Sequence, residues 1–291
     1  MPHQPKAVHV SYNTMTPHHF NQHLKIQEDA FVWRYMGFDK LWDFISNNSI
    51  YFSRLDTFHD PIEGLPIDFR GNLQTLHILE AEIPNDDFVK LNKSTNRVSR
   101  TDIEKWQTAT YCSCWYLTET EKDANTPTNH HESVAMWNFL SDGDGFIVKI
   151  KFTKLLNLLS NALLTFTDGE IFDVKYGKVQ YLNYGEYLAM LNSSDSDFMP
   201  SLIKHNSFKF ENEIRFLLLR DKLIDPNNNR KGIKINFLEN LNSKQHEMEI
   251  IAHPNMLPDN FKINSSKLLQ FGFDLKVSTV LTKDAVERLF R

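Results

Sequence analysis

Residues 208–219 read Phe-Lys-Phe-Glu-Asn-Glu-Ile-Arg-Phe-Leu-Leu-Leu, and their alternation predicts a strand with Glu211, Glu213 and Arg215 on one face. Phe208, Phe210, Ile214 and Phe216 then share the other face and anchor it to a core. Two residues along a strand span about 7 Å, at roughly 3.3 Å each, so both carboxylates would front one cleft. Such a carboxylate pair would form a catalytic edge. Arg215 on the same face would neutralise one of them and favour its ionised form. The same pattern also suits a solvated charged face, so the surrounding elements have to decide.

Those elements are mixed in kind. Phe31–Met36 reads as a strand, Asp39 as the cap of a short helix carrying Phe38, Leu41, Trp42 and Ile45, and Ser49–Arg54 as a second strand. Asp60-Pro61 and Glu63-Gly64 then form a bend with two further carboxylates. Residues 111–116 predict a buried aromatic strand with Cys112 and Cys114 on one side, and residues 118–132 a long loop suited to a lid. Further on, the pattern predicts helices over 132–140 and 154–164, the second capped by Thr153, and strands over 146–152 and 173–182. The Asn-rich turn at 225–229 predicts a hairpin joining the acidic strand to 232–237. A strand over 248–252, a helix over 264–271 and a strand over 276–281 close the chain. This order has no repeat and no steady strand-helix rhythm, which predicts an α+β class, an irregular mixed sheet core with short helices. Residues 1–25, with five histidines and three prolines, read as a flexible arm, and residues 26–291 as one domain.

Composition removes several function classes. With 41% hydrophobic residues, 22 of them Phe, the chain can build a substantial core. A net charge of −5 argues against a protein that binds nucleic acid mainly by neutralising phosphates. No run reaches the roughly 18 apolar residues of a membrane helix, and the first residues lack an apolar signal region. Only two cysteines are present, too close within one strand to form a disulfide framework, so a cytoplasmic protein is expected. There is no glycine-rich dinucleotide loop, phosphate loop, nucleophile elbow or paired-cysteine zinc spacing.

What remains is an ordered set of polar and aromatic blocks. Trp33-Arg34-Tyr35 comes first, then Ser49-Ile50-Tyr51-Phe52-Ser53 running into His59-Asp60-Pro61-Ile62-Glu63. Ser113-Cys114-Trp115, Met136-Trp137 and Gly145 follow, with Lys204 and Phe208 just ahead of Glu211-Asn212-Glu213-Ile214-Arg215. From Phe31 to Leu281 this order resembles a bacterial family of domains of unknown function, number twenty-nine seventy-one. That family's layout looks like a divergent relative of the mono-ADP-ribosyltransferase fold, in which an early strand, helix, strand unit precedes a late strand bearing Glu-x-Glu.

The resemblance implies NAD as co-substrate. In such enzymes the later glutamate accepts a hydrogen bond from the nicotinamide ribose 2′-hydroxyl and stabilises oxocarbenium-like charge, a role that falls here to Glu213. Glu211 would activate the acceptor, and Arg34 would clamp phosphate with its planar fork. Tyr35 or Tyr51 could stack on nicotinamide. Ser113 supports the site from the central strand, where arginine-type transferases carry a Ser-Thr-Ser triplet, and Ser53 and Arg215 complete the cofactor-binding set. The implied activity is NAD cleavage, as an ADP-ribosyltransferase or NAD glycohydrolase in a toxin-like or phage-defence setting, with a protein or nucleic-acid acceptor and no membrane. Two other readings stay open from the residues: a non-catalytic recognition module, and a phosphodiester hydrolase with magnesium held by Asp60, Glu63, Glu211 and Glu213.

Overall fold

The computed structural model describes residues 26–27, 29–58, 63–64, 107–118, 132–140, 143–166, 171–183, 200–220, 230–278 and 280. The expected arm over 1–25, Asp60, most of the expected lid and the 225–229 turn lie outside these residues.

Sequence patterning produces the early elements directly. β1 is Phe31–Met36, α1 is Phe38–Ser46 and β2 is Ser49–Arg54. β3 (Thr110–Thr118), α2 (Val134–Leu140), β4 (Phe146–Lys151) and α3 (Phe152–Leu164) follow. β5 (Ile171–Lys178), β6 (Gln180–Leu182) and β7 (Ile203–His205) lead to a 3-10 helix, Asn206–Glu211, and then β8 (Glu213–Arg220). β9 (Gly232–Asn236), β10 (Glu249–Ala252), α4 (Pro258–Leu269) and β11 (Leu275–Val277) complete the described elements. The class is α+β: short helices on a mixed sheet. Among the described residues no helix is long and apolar enough to cross a membrane.

One sheet organises the molecule. Strands β11, β10, β4, β1 and β3 adjoin in that order, and β9 adjoins β2. β8 takes one whole edge of β3, from Thr110↔Leu219 to Tyr116↔Glu213, and carries β5 on its far side. The opposite edge of β3 is therefore shared. β1 pairs with its end (Phe31↔Thr118 to Trp33↔Tyr116) and β2 with its start (Ser53↔Cys112, Arg54↔Tyr111). Between them, along residues 113–115, the two strands splay into a fork.

The pleat sorts side chains by face. Val32, Met36, Ile50, Phe52, Tyr111, Trp115, Ile214 and Phe216 point into the main core, which α1, α3 and α4 close with residues such as Leu41, Phe44, Leu155, Leu159 and Leu268. The other face carries a smaller aromatic cluster, Trp33, Tyr35 and Ile147 with Met136 and Trp137 of α2. Polar and charged residues occupy the same face farther along β3 and β8.

Four local expectations are corrected. Residues 206–211 are not strand but 3-10 helix, and Asn212 (φ 38°, ψ 56°) turns the chain before β8 begins at Glu213. Phe208 and Phe210 consequently leave the core face, and Phe210 is 39% exposed. β9 pairs with β2 (Ile50↔Ile235), not with the acidic strand, so the expected hairpin is absent. Gly37 and Lys151, not Asp39 and Thr153, stand at the N-caps of α1 and α3, and neither helix has a side-chain cap bond there.

Candidate functional site

On the charged face three buried carboxylates and two buried cations are interleaved. Arg215 is the hub, 1% exposed: Nε donates to Glu213 Oε2 at 2.7 Å and Nη1 to the Ser201 carbonyl at 2.8 Å, while Nη2 pairs with Glu63 and with Glu213. Its guanidinium thus ties the bend after β2, the segment before β7 and the strand itself to one point. The ring of Phe58 lies 6.0 Å away. Gly64 makes that bend possible: at φ 73° it follows Glu63, and a Cβ there would come within 2.6 Å of Leu55 Cδ1.

Lys204 is the second cation. Its ammonium bonds Glu211 Oε2, lies 4.0 Å from Glu213 Oε1 and sits 4.6 Å from the Phe208 ring centre. The left-handed Asn212 is what makes this convergence possible. In a straight strand the two glutamates would stand about 7 Å apart, whereas the kink delivers both to one ammonium. Asn212 is itself held, donating from Nδ2 to the Leu117 carbonyl at 2.6 Å. Asn tolerates this backbone region better than other non-glycine residues.

Electrostatics follow from the count of charges. Among the described residues, three acids against two bases leave one surplus negative charge when all are ionised, in a place where desolvation is expensive. Burial, and next the charge of Glu213, push Glu211 up to about 7, although Lys204 pulls the other way. Burial would lower both Lys204 and Arg215, but Glu213 and Glu63 raise each above its ordinary value. The hydrogen bonds to Glu211 and Glu213 all use Oε2, so each Oε1 has no hydrogen-bond partner among the described residues. The arrangement can hold a proton near neutrality on Glu211 and offer Glu213 Oε1 to an incoming positive charge.

The other nominated residues divide between faces. Tyr35 shares the charged face. Its ring makes edge contacts with Tyr116 and Trp137, its hydroxyl accepts the Ser133 amide N–H at 2.8 Å, and burial raises its phenol. Ser53 stands opposite Cys112 on that face, near the start of β3. Arg34 and Ser113 belong to the core face. Arg34 Nη1 donates to Ser113 Oγ at 3.0 Å and Nη2 to the Tyr51 carbonyl at 3.3 Å, with the guanidinium 5.6 Å from the Trp115 ring centre. The guanidinium thus fills the fork between β1 and β2. The structure therefore brings Glu211, Glu213 and Arg215 together but sets Arg34 and Ser113 behind them.

Two participants carry no sequence signal, Ser201 and Tyr181, whereas Lys204 stands out only as a member of the ordered blocks. The Tyr181 hydroxyl accepts the Glu213 amide N–H at 2.8 Å. The thiols of Cys112 and Cys114 lie 3.4 Å apart beside this network, and that contact together with burial holds Cys114 far above its ordinary value, which suits an inert pair. Fold and site together define an α+β domain with a buried acid-base cluster on one sheet face. No protein-family model, curated protein or solved structure matches the chain.

Proposed function

We propose that the chain cleaves NAD at the nicotinamide-ribose bond, as an ADP-ribosyltransferase or an NAD glycohydrolase. The observation that carries this reading is the convergence of Glu211 and Glu213 on Lys204 with the Oε1 atom of each left for a ligand. Glu213 Oε1 would meet the ribose as positive charge develops on it, while Glu211, poised near neutrality, takes the proton of the attacking hydroxyl or water. Arg215 and Glu63 keep Glu213 in position. Arg34 acts from the fork, and Tyr35 and Ser53 act from the carboxylate face. The early β1-α1-β2 unit precedes a late strand opening at Glu213, with Glu211 in the 3-10 turn ahead of it, an order close to the one that the family resemblance implies.

A second reading, a recognition module without turnover, is favoured by the burial of the acids: Glu211 is 3% and Glu213 8% exposed, and both are engaged in ion pairs. A magnesium-dependent hydrolase fits less well. Lys204 and Arg215 sit between the carboxylates, where the metal would have to go, and among the described residues no group of three metal-binding side chains forms. The deciding experiment incubates the full chain with NAD and measures released nicotinamide, with water, protein or nucleic acid as acceptor. Glu213→Gln is expected to slow release by about 10² to 10⁴-fold. No release by the wild type under any of these conditions overturns the proposal and leaves the recognition module.

A further inference from the structure

Among the described residues Tyr181 makes a single hydrogen bond at this cluster and keeps its own proton unspent. It lies on β6, outside the main sheet, and its hydroxyl oxygen accepts the Glu213 amide N–H at 2.8 Å. Among the described residues no acceptor takes its own proton, and the charges of Glu213 and Glu211 both act on it, opposed by Arg215. Burial and those two carboxylates raise the phenol, so it stays an O–H donor at any physiological pH. A phenol fixed through its lone pair, with its hydrogen unspent, is oriented before any ligand arrives.

The chemistry around it is complementary. The Oε1 atoms of Glu211 and Glu213 can only accept when ionised, whereas Tyr181 can still donate. A ligand group that satisfies both must donate and accept from one atom, and a sugar hydroxyl does this. We propose that Tyr181 is a substrate-contacting residue whose O–H donates to a ligand hydroxyl that in turn donates to Glu213 Oε1. The inference rests on the reading of the site as one for a ribosyl substrate, and it adds a donor that the acidic motif alone does not supply. It also gives the small β6-β7 sheet a purpose: Tyr181↔Lys204 is a register pair, so one two-stranded ladder delivers both the phenol and the ammonium.

The test compares NAD with an NAD analogue lacking the 2′-hydroxyl on the nicotinamide ribose, by calorimetric affinity and by nicotinamide release. Wild type is expected to favour NAD by roughly 10- to 100-fold, because the analogue leaves donor and acceptor unpaired. Tyr181→Phe, which keeps the ring, is expected to lower kcat/KM for NAD and to collapse that preference to within about threefold. A merely structural tyrosine would lower stability and both affinities together while leaving the ratio intact, and that result overturns the inference. A wild type that does not distinguish the two ligands overturns it without any variant. If wild type binds NAD selectively but releases no nicotinamide, the cleavage reading falls while Tyr181 stands on the affinity ratio. If neither NAD nor ADP-ribose binds, both fall.

Discussion

Two arginines flank β3, Arg34 from β1 and Arg215 from β8, and they live in opposite circumstances. Arg215 is enclosed by Glu213 and Glu63, which together outweigh burial and hold its charge more firmly than in water. Arg34 has no carboxylate partner among the described residues. Its donors go to a serine hydroxyl and a backbone carbonyl, and burial lowers it. The contrast separates two uses of a guanidinium. One is a structural rivet that binds three chain segments, and the other is an under-neutralised cation in the gap between two strands, the condition in which an anionic group would find it most useful.

That comparison breaks most sharply under substitution. Arg215→Met strands two buried carboxylates and should cost about 3 to 5 kcal/mol in urea unfolding. Arg34→Met removes a charge that no carboxylate balances, so its cost should stay below about 2 kcal/mol, roughly that of two modest hydrogen bonds. Equal losses would mean that the two guanidinium groups do the same job. A smaller effect comes from pH. Glu211 titrates at about 7 in the fold, above an unfolded glutamate, so between roughly 4.5 and 7 the folded chain holds a proton that the unfolded chain has released. Its contribution is therefore complete at low pH and is lost as pH rises through about 7. Urea titrations of Glu211→Gln across that window should show a flatter pH dependence than wild type, and an unchanged slope would assign the proton elsewhere.

Much of the scaffold was legible, because β1, β2, β3 and β4 are short runs of apolar and aromatic residues, although β1, β3 and β4 bury residues on both faces rather than alternating plainly. The failures have physical causes. Phe208 and Phe210 mimic strand alternation, yet Phe208 stacks over Lys204 and Phe210 meets Phe139 in an edge contact, and the left-handed Asn212 breaks the run between them and β8. Turn chemistry suggested a local hairpin, but Ile233 and Ile235 pack in the same core as Ile50 and Phe52, and that non-local burial selects β2 as the partner. The helices at Phe38 and Phe152 start without caps because buried side chains, Leu41 and Phe44 in one and Phe152 and Leu155 in the other, hold them in place. Within the site, the spacing of Glu211, Glu213 and Arg215 was readable. The ion pair from Arg215 to Glu63 crosses 152 residues, and the hydrogen bond from Glu213 to Tyr181 crosses 32, distances at which sequence pattern carries no information.

The fork has a mechanical meaning. β1 and β2 both lean on β3 yet share no ladder with each other among the described residues, so the sheet contains a seam. Prising its two wings apart would break no backbone pairing between those strands. Along that line, among the described residues, the Arg34 guanidinium bonds Ser113 and the Tyr51 carbonyl and so stitches the two wings.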